Sequence, residues 1–319
     1  MVEEPAGDTQ YLPVYPKTIL NEVTSPDIPM EYSMNPYQGC EHGCVYCYAR
    51  NTHPFWGYSA GLDFERKILI KKDAPKLLEK TLRSPKWKAT PIMLSGNTDC
   101  YQPAEQKYRI TRQMLQILWK YRHPVGIITK NKLVLRDIDI LEQMAKHDLV
   151  HVTISLTTLE EPLRRLLEPR TSSVLGRLDT IQKLSESGIP VHAMASPIIP
   201  GLNEHEIFSL AEESARRGAS NIYYTMVRLN GDIAEIFADW VERNFPDRMD
   251  KILNKIRSMH GGELGDSRYG KRMKGEGRIA ESIHQQMQIA KRKYFEGKET
   301  PDYNCALHEG YKSPQMRLF

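Results

Sequence analysis

A short loop that carries three of the chain's five cysteines is the feature that most constrains its fold and chemistry. Cys40, Cys44 and Cys47 follow the spacing C-x3-C-x2-C, and glycines at positions 39 and 43 let the backbone bend around a bulky group. Thiolates are the ligands that iron–sulfur clusters require, and a cubane cluster with three protein ligands keeps one iron open for a small molecule. The spacing therefore favours a catalytic iron–sulfur site.

A structural zinc site is the alternative, with His42 or His53 as its fourth ligand. Zinc knuckles usually combine two C-x2-C units, and this sequence contains no second pair. The other cysteines, Cys100 and Cys305, stand alone much further along the chain. The pattern favours iron–sulfur chemistry over zinc.

Length and composition allow one large catalytic domain with an extension in a chain of 319 residues. The sequence has no long apolar run that would span a membrane, and its N-terminus has no apolar signal segment, which predicts a cytoplasmic protein. Cysteines clustered in that compartment suit a metal better than disulfides. The net charge of +4 permits nucleic-acid binding without requiring it.

The cysteine spacing, followed by an aromatic residue, resembles the signature of the radical S-adenosylmethionine (SAM) enzymes. The resemblance implies a [4Fe-4S] cluster held by Cys40, Cys44 and Cys47, with the amino and carboxylate groups of SAM on the fourth iron. It implies that one electron from the reduced cluster cleaves SAM and gives a 5′-deoxyadenosyl radical. It also implies an electron donor such as flavodoxin or ferredoxin.

Strand and helix patterns alternate after the cysteine loop, which predicts an α/β fold with a parallel sheet. Six strand–helix units fit a partial (β/α)6 barrel of the TIM type, the fold that the resemblance also implies, and an open doubly wound sheet is the alternative. The predicted strands cover residues 31–37, 91–95, 125–129, 150–156, 190–195 and 221–227. The predicted helices cover residues 73–83, 106–121, 137–147, 171–187 and 203–217.

The sequence divides into three parts. Residues 1–30 form an N-terminal arm, residues 31–229 the partial barrel, and residues 230–319 a mainly helical C-terminal extension. The extension is predicted to contain helices over residues 232–245, 246–259 and 278–296, a basic glycine-rich loop over 268–278, and a tail without a period from residue 297.

Residues at the carboxyl ends of the strands are the candidates for binding SAM, because barrel enzymes place their active sites there. A lysine at such an end can neutralise a carboxylate, and hydroxyls at alternate strand positions face the same side and can hold a ribose. The segment over residues 196–204 is similar to the family's adenine-side stretch. The candidates are Ser95, Gly96 and Asn97 after the second strand, Lys130 after the third, Ser155 and Thr157 at the fourth, and Pro197 at the fifth.

Four further residues have predicted roles. The resemblance implies that Tyr46 packs near adenine, while Tyr48 faces substrate or packs beside the cluster. Arg170 is predicted to pair with the SAM carboxylate or a substrate phosphate, with a structural ion pair as the alternative. Cys100 is predicted to donate a hydrogen atom to a product radical, and its alternative is a small buried core residue.

The segment GCEHGCVYCYAR, with TKN at 129–131 and SLTT at 155–158, resembles the spore photoproduct lyase-like branch. That resemblance implies hydrogen abstraction on DNA and repair of damaged pyrimidines. In spore photoproduct lyase a cysteine of the second strand returns the hydrogen atom, and the matching place here is close to Gly96 rather than Cys100. A radical SAM enzyme acting on tRNA or a peptide is one alternative, and a non-catalytic metal-binding adaptor is another.

Two C-terminal features predict partners. The loop over 268–278 has five basic residues and Tyr269, which is typical of loops that contact phosphates beside a stacking platform, although a solvated flexible loop is the alternative. The last five residues, from Gln315 to Phe319, resemble the peptide that docks bacterial repair proteins on the DNA sliding clamp. Docking of this kind would bury two apolar side chains near a chain end.

Overall fold

The computed structural model describes residues 8–312 and contains two sheets. The strands in chain order are β1 (Gln10–Pro13), β2 (Leu20–Glu22), β3 (Tyr32–Met34), β4 (Tyr37–Gln38), β5 (Lys67–Ile70), β6 (Ile92–Leu94), β7 (Val125–Thr129), β8 (Val150–Ser155), β9 (Val191–Ile198) and β10 (Asn221–Met226). The helices are α1 (Leu62–Arg66), α2 (Ala74–Leu82), α3 (Ala104–Tyr108), α4 (Ile110–Lys120), α5 (Ile138–Ala145), α6 (Glu161–Leu167), α7 (Val174–Glu186), α8 (Ile207–Arg216), α9 (Ile233–Asn244), α10 (Met249–Met259), α11 (Gly277–Phe295) and α12 (Ala306–Lys312).

Six parallel strands form the main sheet in the order β3, β6, β7, β8, β9 and β10, and β2 pairs antiparallel with β3 at one edge. Each strand neighbours the next parallel strand along the chain, whereas a doubly wound sheet reverses its order at a switch point. Across residues 8–312 no ladder joins β10 to β2, so the barrel is open. The predicted partial barrel is confirmed, and the doubly wound alternative is wrong.

Helices cover the outside of the sheet, and its four central strands, β6 to β9, are mostly buried on both faces, as parallel strands usually are. The main hydrophobic cluster joins these strands to α2, α4, α5, α7, α8 and α11. A second cluster packs α9 and α10 against Leu163, Leu167 and the cysteine loop, where it includes Cys44 and Tyr46. The C-terminal extension therefore forms one wall of the cysteine site.

Three local predictions differ from the structure. The N-terminal arm contains two strands, because β1 pairs with β5 and β2 extends the main sheet. The helix predicted over 106–121 is divided at Arg109, whose φ of 52° is left-handed, and the buried Glu105 carboxylate accepts from the Thr111 amide 2.9 Å away. The tail, predicted without a period, contains α12.

The two ends of the open barrel differ. We call the carboxyl ends of the six parallel strands the mouth, and their amino ends the base. The tail crosses the base, where the Asn304 amide donates to the Asp148 carbonyl at 3.0 Å and Tyr303 stacks on His151 with ring centroids 4.0 Å apart. Among residues 8–312, none of the helices has the length and apolar character needed to cross a bilayer.

Candidate active site

The three clustered cysteines lie in a loop that begins directly after β4. Cys40 and Cys44 are buried, Cys47 is partly exposed, and all three are free thiols. The amides of Gly43 and Cys47 donate to the carbonyls of Cys40 and Cys44 at 3.4 and 3.3 Å, so the loop turns twice. Burial and, to a smaller extent, the neighbouring Cys40 raise the pKa of the Cys47 thiol to about 11, so Cys40 and Cys47 are close enough to influence each other.

Gly43 is needed for the close approach of this loop to its surroundings. Its φ of +69° is left-handed, and a Cβ there would lie 2.5 Å from Arg170 Nη2 and 2.8 Å from Glu65 Oε2. A side chain at this position would push apart the ion pair between Arg170 and Glu65. The glycine therefore lets that pair close over the loop.

A buried arginine, Arg50, holds the cysteine loop from inside. Its guanidinium donates to the Cys44 carbonyl at 3.0 Å and to the Ala60 and Gly61 carbonyls at 3.1 and 3.0 Å, and it pairs with Glu65. Sequence reasoning missed this role, although Arg50 ends the GCEHGCVYCYAR segment. An arginine three residues after the last cysteine was the available signal.

Glu168 is a buried carboxylate on which four side chains converge. Lys130 Nζ lies 3.5 Å from it, Thr157 Oγ1 donates to it at 2.7 Å, and Arg177 and the Tyr46 hydroxyl bind it closely. Burial raises the pKa of Glu168, but Arg177 and Lys130 outweigh burial and hold that pKa at about 2. Sequence reasoning assigned no role to Glu168 or Arg177, and we call this set of five residues the Glu168 cluster.

The Glu168 cluster is joined to the cysteine loop. The Val45 amide donates to the Leu167 carbonyl at 3.1 Å, immediately before Glu168. Burial and the Glu168 charge raise the pKa of the Cys44 thiol, whereas Lys130 lowers it. The thiols and the cluster of charges therefore share one electrostatic environment at the mouth.

The two histidines proposed as zinc ligands have other surroundings. The ring nitrogens of His42 lie 3.4 Å from Asp99 Oδ2 and 3.2 Å from Asn131 Nδ2. His53 is buried between Phe64 and Tyr58, with ring centroids 5.5 Å apart in both cases. His42 also contacts Cys40, but among the described residues neither ring forms a compact group of ligand atoms with all three thiols.

The loop after β6 folds around the side chain of Asn35, the residue that directly follows β3. The Asn35 amide oxygen accepts from the backbone amides of Gly96, Asn97 and Thr98 at 3.0, 3.0 and 3.3 Å. Ser95 has a left-handed φ of 77°, and its hydroxyl accepts from the Cys100 amide at 2.7 Å. The predicted residues Ser95, Gly96 and Asn97 thus form a fixed turn at the mouth.

The fourth and fifth strands meet at the mouth through hydroxyl and amide groups. Ser155 accepts a hydrogen bond from Lys130, and Thr157 Oγ1 lies 2.9 Å from the Ser196 carbonyl. Asn203 Nδ2 donates to the carbonyls of Thr157 and Pro197 at 2.8 and 3.0 Å. The predicted residues Lys130, Ser155, Thr157 and Pro197 are therefore brought together.

Tyr48 crosses the mouth. Its hydroxyl donates to the Gly96 carbonyl after β6, and the Arg228 guanidinium after β10 lies 5.5 Å from the centroid of its ring. The side chain is 49% exposed, although both of these contacts orient it. Arg228 was not singled out from the sequence, and its place just beyond the sixth strand was the signal.

Two predicted residues have contacts other than the predicted ones. Cys100 is fully buried in the main hydrophobic cluster, so its thiol lacks access to a substrate and the role of hydrogen donor has no support. Arg170 donates to the Glu41 carbonyl and pairs with Glu65, which is the structural ion pair that the sequence left as the alternative.

The profile of the Radical SAM superfamily matches residues 34–213 of the chain. The chain belongs to this superfamily. An uncharacterized protein of Mycobacterium tuberculosis is 30% identical over 247 residues, which cover 76% of this chain and 72% of that protein. A radical SAM Nalpha-GlyT isomerase of Pseudomonas phage M6 is 24% identical over 216 residues, 67% of this chain and 43% of the isomerase.

A solved structure of spore photoproduct lyase complexed with dinucleoside spore photoproduct has the same fold, with a TM-score of 0.66 and 18% identity. The match covers 93% of this chain and 86% of the lyase. It includes the helical C-terminal region, which the superfamily profile does not reach.

Radical SAM enzymes use a [4Fe-4S] cluster and SAM, so this protein is an enzyme with both cofactors. The residues present fit this requirement, because three free thiols lie in one turned loop beside paired charges. The zinc site and the non-catalytic adaptor, which the sequence left as alternatives, are wrong.

Proposed function

We propose that Cys40, Cys44 and Cys47 hold the [4Fe-4S] cluster and that the enzyme starts hydrogen abstraction on DNA, with damaged pyrimidines as its substrate. One observation carries this proposal. The loop with three free thiols is hydrogen-bonded to the segment before Glu168, and the Glu168 cluster influences the Cys44 thiol electrostatically. When bound, the cluster supplies the one electron that cleaves SAM. The mouth is also where barrel enzymes bind substrate.

We assign the binding of SAM to residues that line the mouth. Lys130 presents an ammonium group oriented by Ser155 and Glu168, which suits the carboxylate of SAM. The ring of Tyr46 lies beneath this ammonium, with the Lys130 nitrogen 5.9 Å from its centroid. The remaining assignments are the turn of Ser95, Gly96 and Asn97 for the amino group, Ser155 and Thr157 for the ribose, and Pro197 for the adenine side.

Tyr48 is the catalytic side chain that we propose at the substrate side of the mouth. It is half-exposed, follows the last cysteine directly, and is oriented by Gly96 and Arg228. A DNA substrate is supported by this pairing of an aromatic ring with a cation. The solved lyase is complexed with a dinucleoside photoproduct, which also supports it.

The test is formation of 5′-deoxyadenosine by anaerobically reconstituted protein with reductant, flavodoxin or ferredoxin. Parallel reactions would contain no DNA, intact DNA or UV-irradiated DNA. We expect irradiated DNA to stimulate formation above the other two. Equal formation in all three reactions would contradict a DNA substrate while leaving the radical SAM chemistry in place.

We also propose that the protein is cytoplasmic and that its last five residues dock on the sliding clamp. These residues, from Gln315 to Phe319, lie outside the described part of the chain. Deletion of residues 315–319 is expected to abolish co-elution with the clamp while SAM cleavage continues. Co-elution that survives the deletion would overturn the docking proposal.

A further inference from the structure

Four side chains on the rim of the mouth combine aromatic rings with cations: Tyr48, Arg228, Tyr269 and Arg272. We propose that this set, the rim patch, binds one DNA strand through its phosphates and unstacked bases. The inference rests on the proposed function and adds the residues that hold the strand. It also requires that the bases of the bound strand are extruded or unpaired at the mouth.

The basic glycine-rich loop is fixed against the end of β10, which brings the four residues to one place. The Met226 amide donates to the Met273 carbonyl at 2.9 Å, two residues before Arg228. Asp27 of the N-terminal arm accepts from the Gly270 amide at 2.7 Å and from Arg272 Nε at 2.6 Å. The loop, for which a solvated flexible conformation was the alternative, is therefore anchored.

One cation of the rim patch, Arg228, has no ion pair of its own in the described part of the chain. Asp27 pairs with Arg272, and no carboxylate among residues 8–312 forms an ion pair with Arg228. Burial lowers the pKa of Arg228 and Arg272 lowers it further, so the two guanidinium groups repel each other, while the Asp27 carboxylate attracts both. A phosphate between them would relieve this repulsion and accept hydrogen bonds from the planar fork of Arg228.

Two other cations of the loop form ion pairs within it. Arg268 pairs with Asp266 and Glu276, and Lys271 pairs with Glu276. These internal ion pairs neutralise the outer part of the loop. Lys274 and Arg278 are exposed and form no ion pair among residues 8–312, so their charges remain available to a phosphate together with that of Arg228.

Each arginine of the rim patch lies over a tyrosine ring that solvent reaches. Tyr48 and Tyr269 are 49% and 62% exposed, and the guanidinium carbons of Arg228 and Arg272 lie 5.5 and 4.6 Å from their ring centroids. Exposed aromatic rings that alternate with cations form the platforms on which single strands stack. Bases inside an intact duplex have no face available for such stacking, so the patch fits an unpaired strand.

The experiment is fluorescence anisotropy of a labelled oligonucleotide with reconstituted, SAM-bound protein at several salt concentrations. The variants are Arg228→Gln and Tyr269→Ala. Matched controls are Arg243→Gln, an exposed arginine of α9 that pairs with Asp239, and Tyr15→Ala, a tyrosine that is 70% exposed. The oligonucleotide would be tested as single-stranded DNA, as duplex DNA and as RNA of the same sequence.

We expect single-stranded DNA to bind more tightly than the duplex. Arg228→Gln should weaken its binding and reduce the salt slope by about 0.7, the value for one phosphate contact on a single strand. Tyr269→Ala should weaken binding at least about fivefold with the slope unchanged, because stacking releases no counterions. The two control variants should match the wild type.

The outcomes separate this inference from the proposed function. No binding of any DNA by the wild type would overturn both, whereas wild-type binding that Arg228→Gln leaves unchanged would overturn the rim patch alone. Tighter binding of RNA than of DNA would also overturn the patch as a DNA site. A loss of SAM binding in Arg228→Gln with DNA binding intact, measured by equilibrium dialysis, would reassign Arg228 to the cofactor.

Discussion

At the scale of single residues, the charge of Glu168 is the most strongly determined feature of the site. Its carboxylate is fully buried, and burial alone would raise its pKa, but Arg177, Lys130 and two hydroxyl donors hold that pKa at about 2. A carboxylate whose folded pKa lies below its ordinary value of 4.5 contributes stability above pH 4.5. That contribution is lost as the pH falls from 4.5 towards 2.

Replacing Glu168 with Gln tests this account. The amide would leave the buried Arg177 without a counter-charge, and we expect the free energy of unfolding at pH 7 to fall by about 3 kcal/mol. The difference from the wild type should shrink as the pH falls from 4.5 towards 2, because the wild-type carboxylate then becomes neutral too. Urea unfolding of iron-free protein followed by circular dichroism measures both effects.

The matched control for this experiment is Glu212→Gln, an exposed glutamate of α8. It should unfold like the wild type at every pH. A difference between Glu168→Gln and the wild type that stays constant down to pH 2 would show that packing, rather than charge, explains the loss.

Gly43 offers a second test at this scale. Ala at position 43 would adopt a left-handed φ and press its Cβ against Arg170 and Glu65, so we expect a distorted cysteine loop and less iron per chain after reconstitution. Gly57→Ala is the control, because φ there is +77° with nothing within 4 Å of the added Cβ. Iron content and visible absorption should fall in Gly43→Ala alone. Equal losses in both variants would mean that backbone strain, not the contact with the ion pair, is responsible.

At the scale of elements, the sequence predicts those strands and helices that the hydrophobic pattern of neighbouring residues determines. The strand predicted over 125–129 coincides with β7, because a buried parallel strand is a continuous apolar run bounded by polar residues. Strands β1 and β5 were missed, since each is four residues long and is defined by pairing with a distant segment. Glu168 was missed for the same reason, because its partners come from four separate parts of the chain.

A buried histidine, His192, lies at the base between the tail and the strands that the tail covers. His192 on β9 lies beside His151 on β8, with ring centroids 5.5 Å apart, and its Nε2 is 3.1 Å from the Thr300 hydroxyl. Burial and, to a smaller extent, His151 and Lys291 lower the pKa of His192 to about 4. A histidine whose folded pKa lies below its ordinary 6.5 contributes stability above pH 6.5, which is lost as the pH falls towards 4.

Replacing His192 with Asn should remove part of this pH dependence. We expect the free energy of unfolding of the wild type to fall by about 3 kcal/mol more than that of His192→Asn between pH 6.5 and pH 4. Urea unfolding at intermediate pH values measures the difference. His147→Asn, at an exposed position after α5, should keep the wild-type dependence. Parallel pH profiles for all three proteins would contradict a role for His192.

At the scale of the whole molecule, the candidate active site and the C-terminal tail lie at opposite ends of the open barrel. The cysteine loop, the Glu168 cluster and the rim patch lie at the mouth, with α9 and α10 packed behind the loop. The tail and its contacts with His151 and His192 lie at the base. This separation predicts that damage to the base lowers stability without changing the site.

Tyr303→Ala tests the separation, because Tyr303 stacks on His151 and its hydroxyl reaches the backbone at Gly126. We expect the free energy of unfolding to fall by about 2 kcal/mol, while iron content and SAM cleavage at low temperature stay at the wild-type level. Tyr311→Ala is the control, since its ring is 45% exposed and meets Tyr121 edge-on, and it should lower stability less. If Tyr303→Ala loses its cluster while still folded, then the base and the mouth are energetically coupled. The tail would then support the active site as well as the fold.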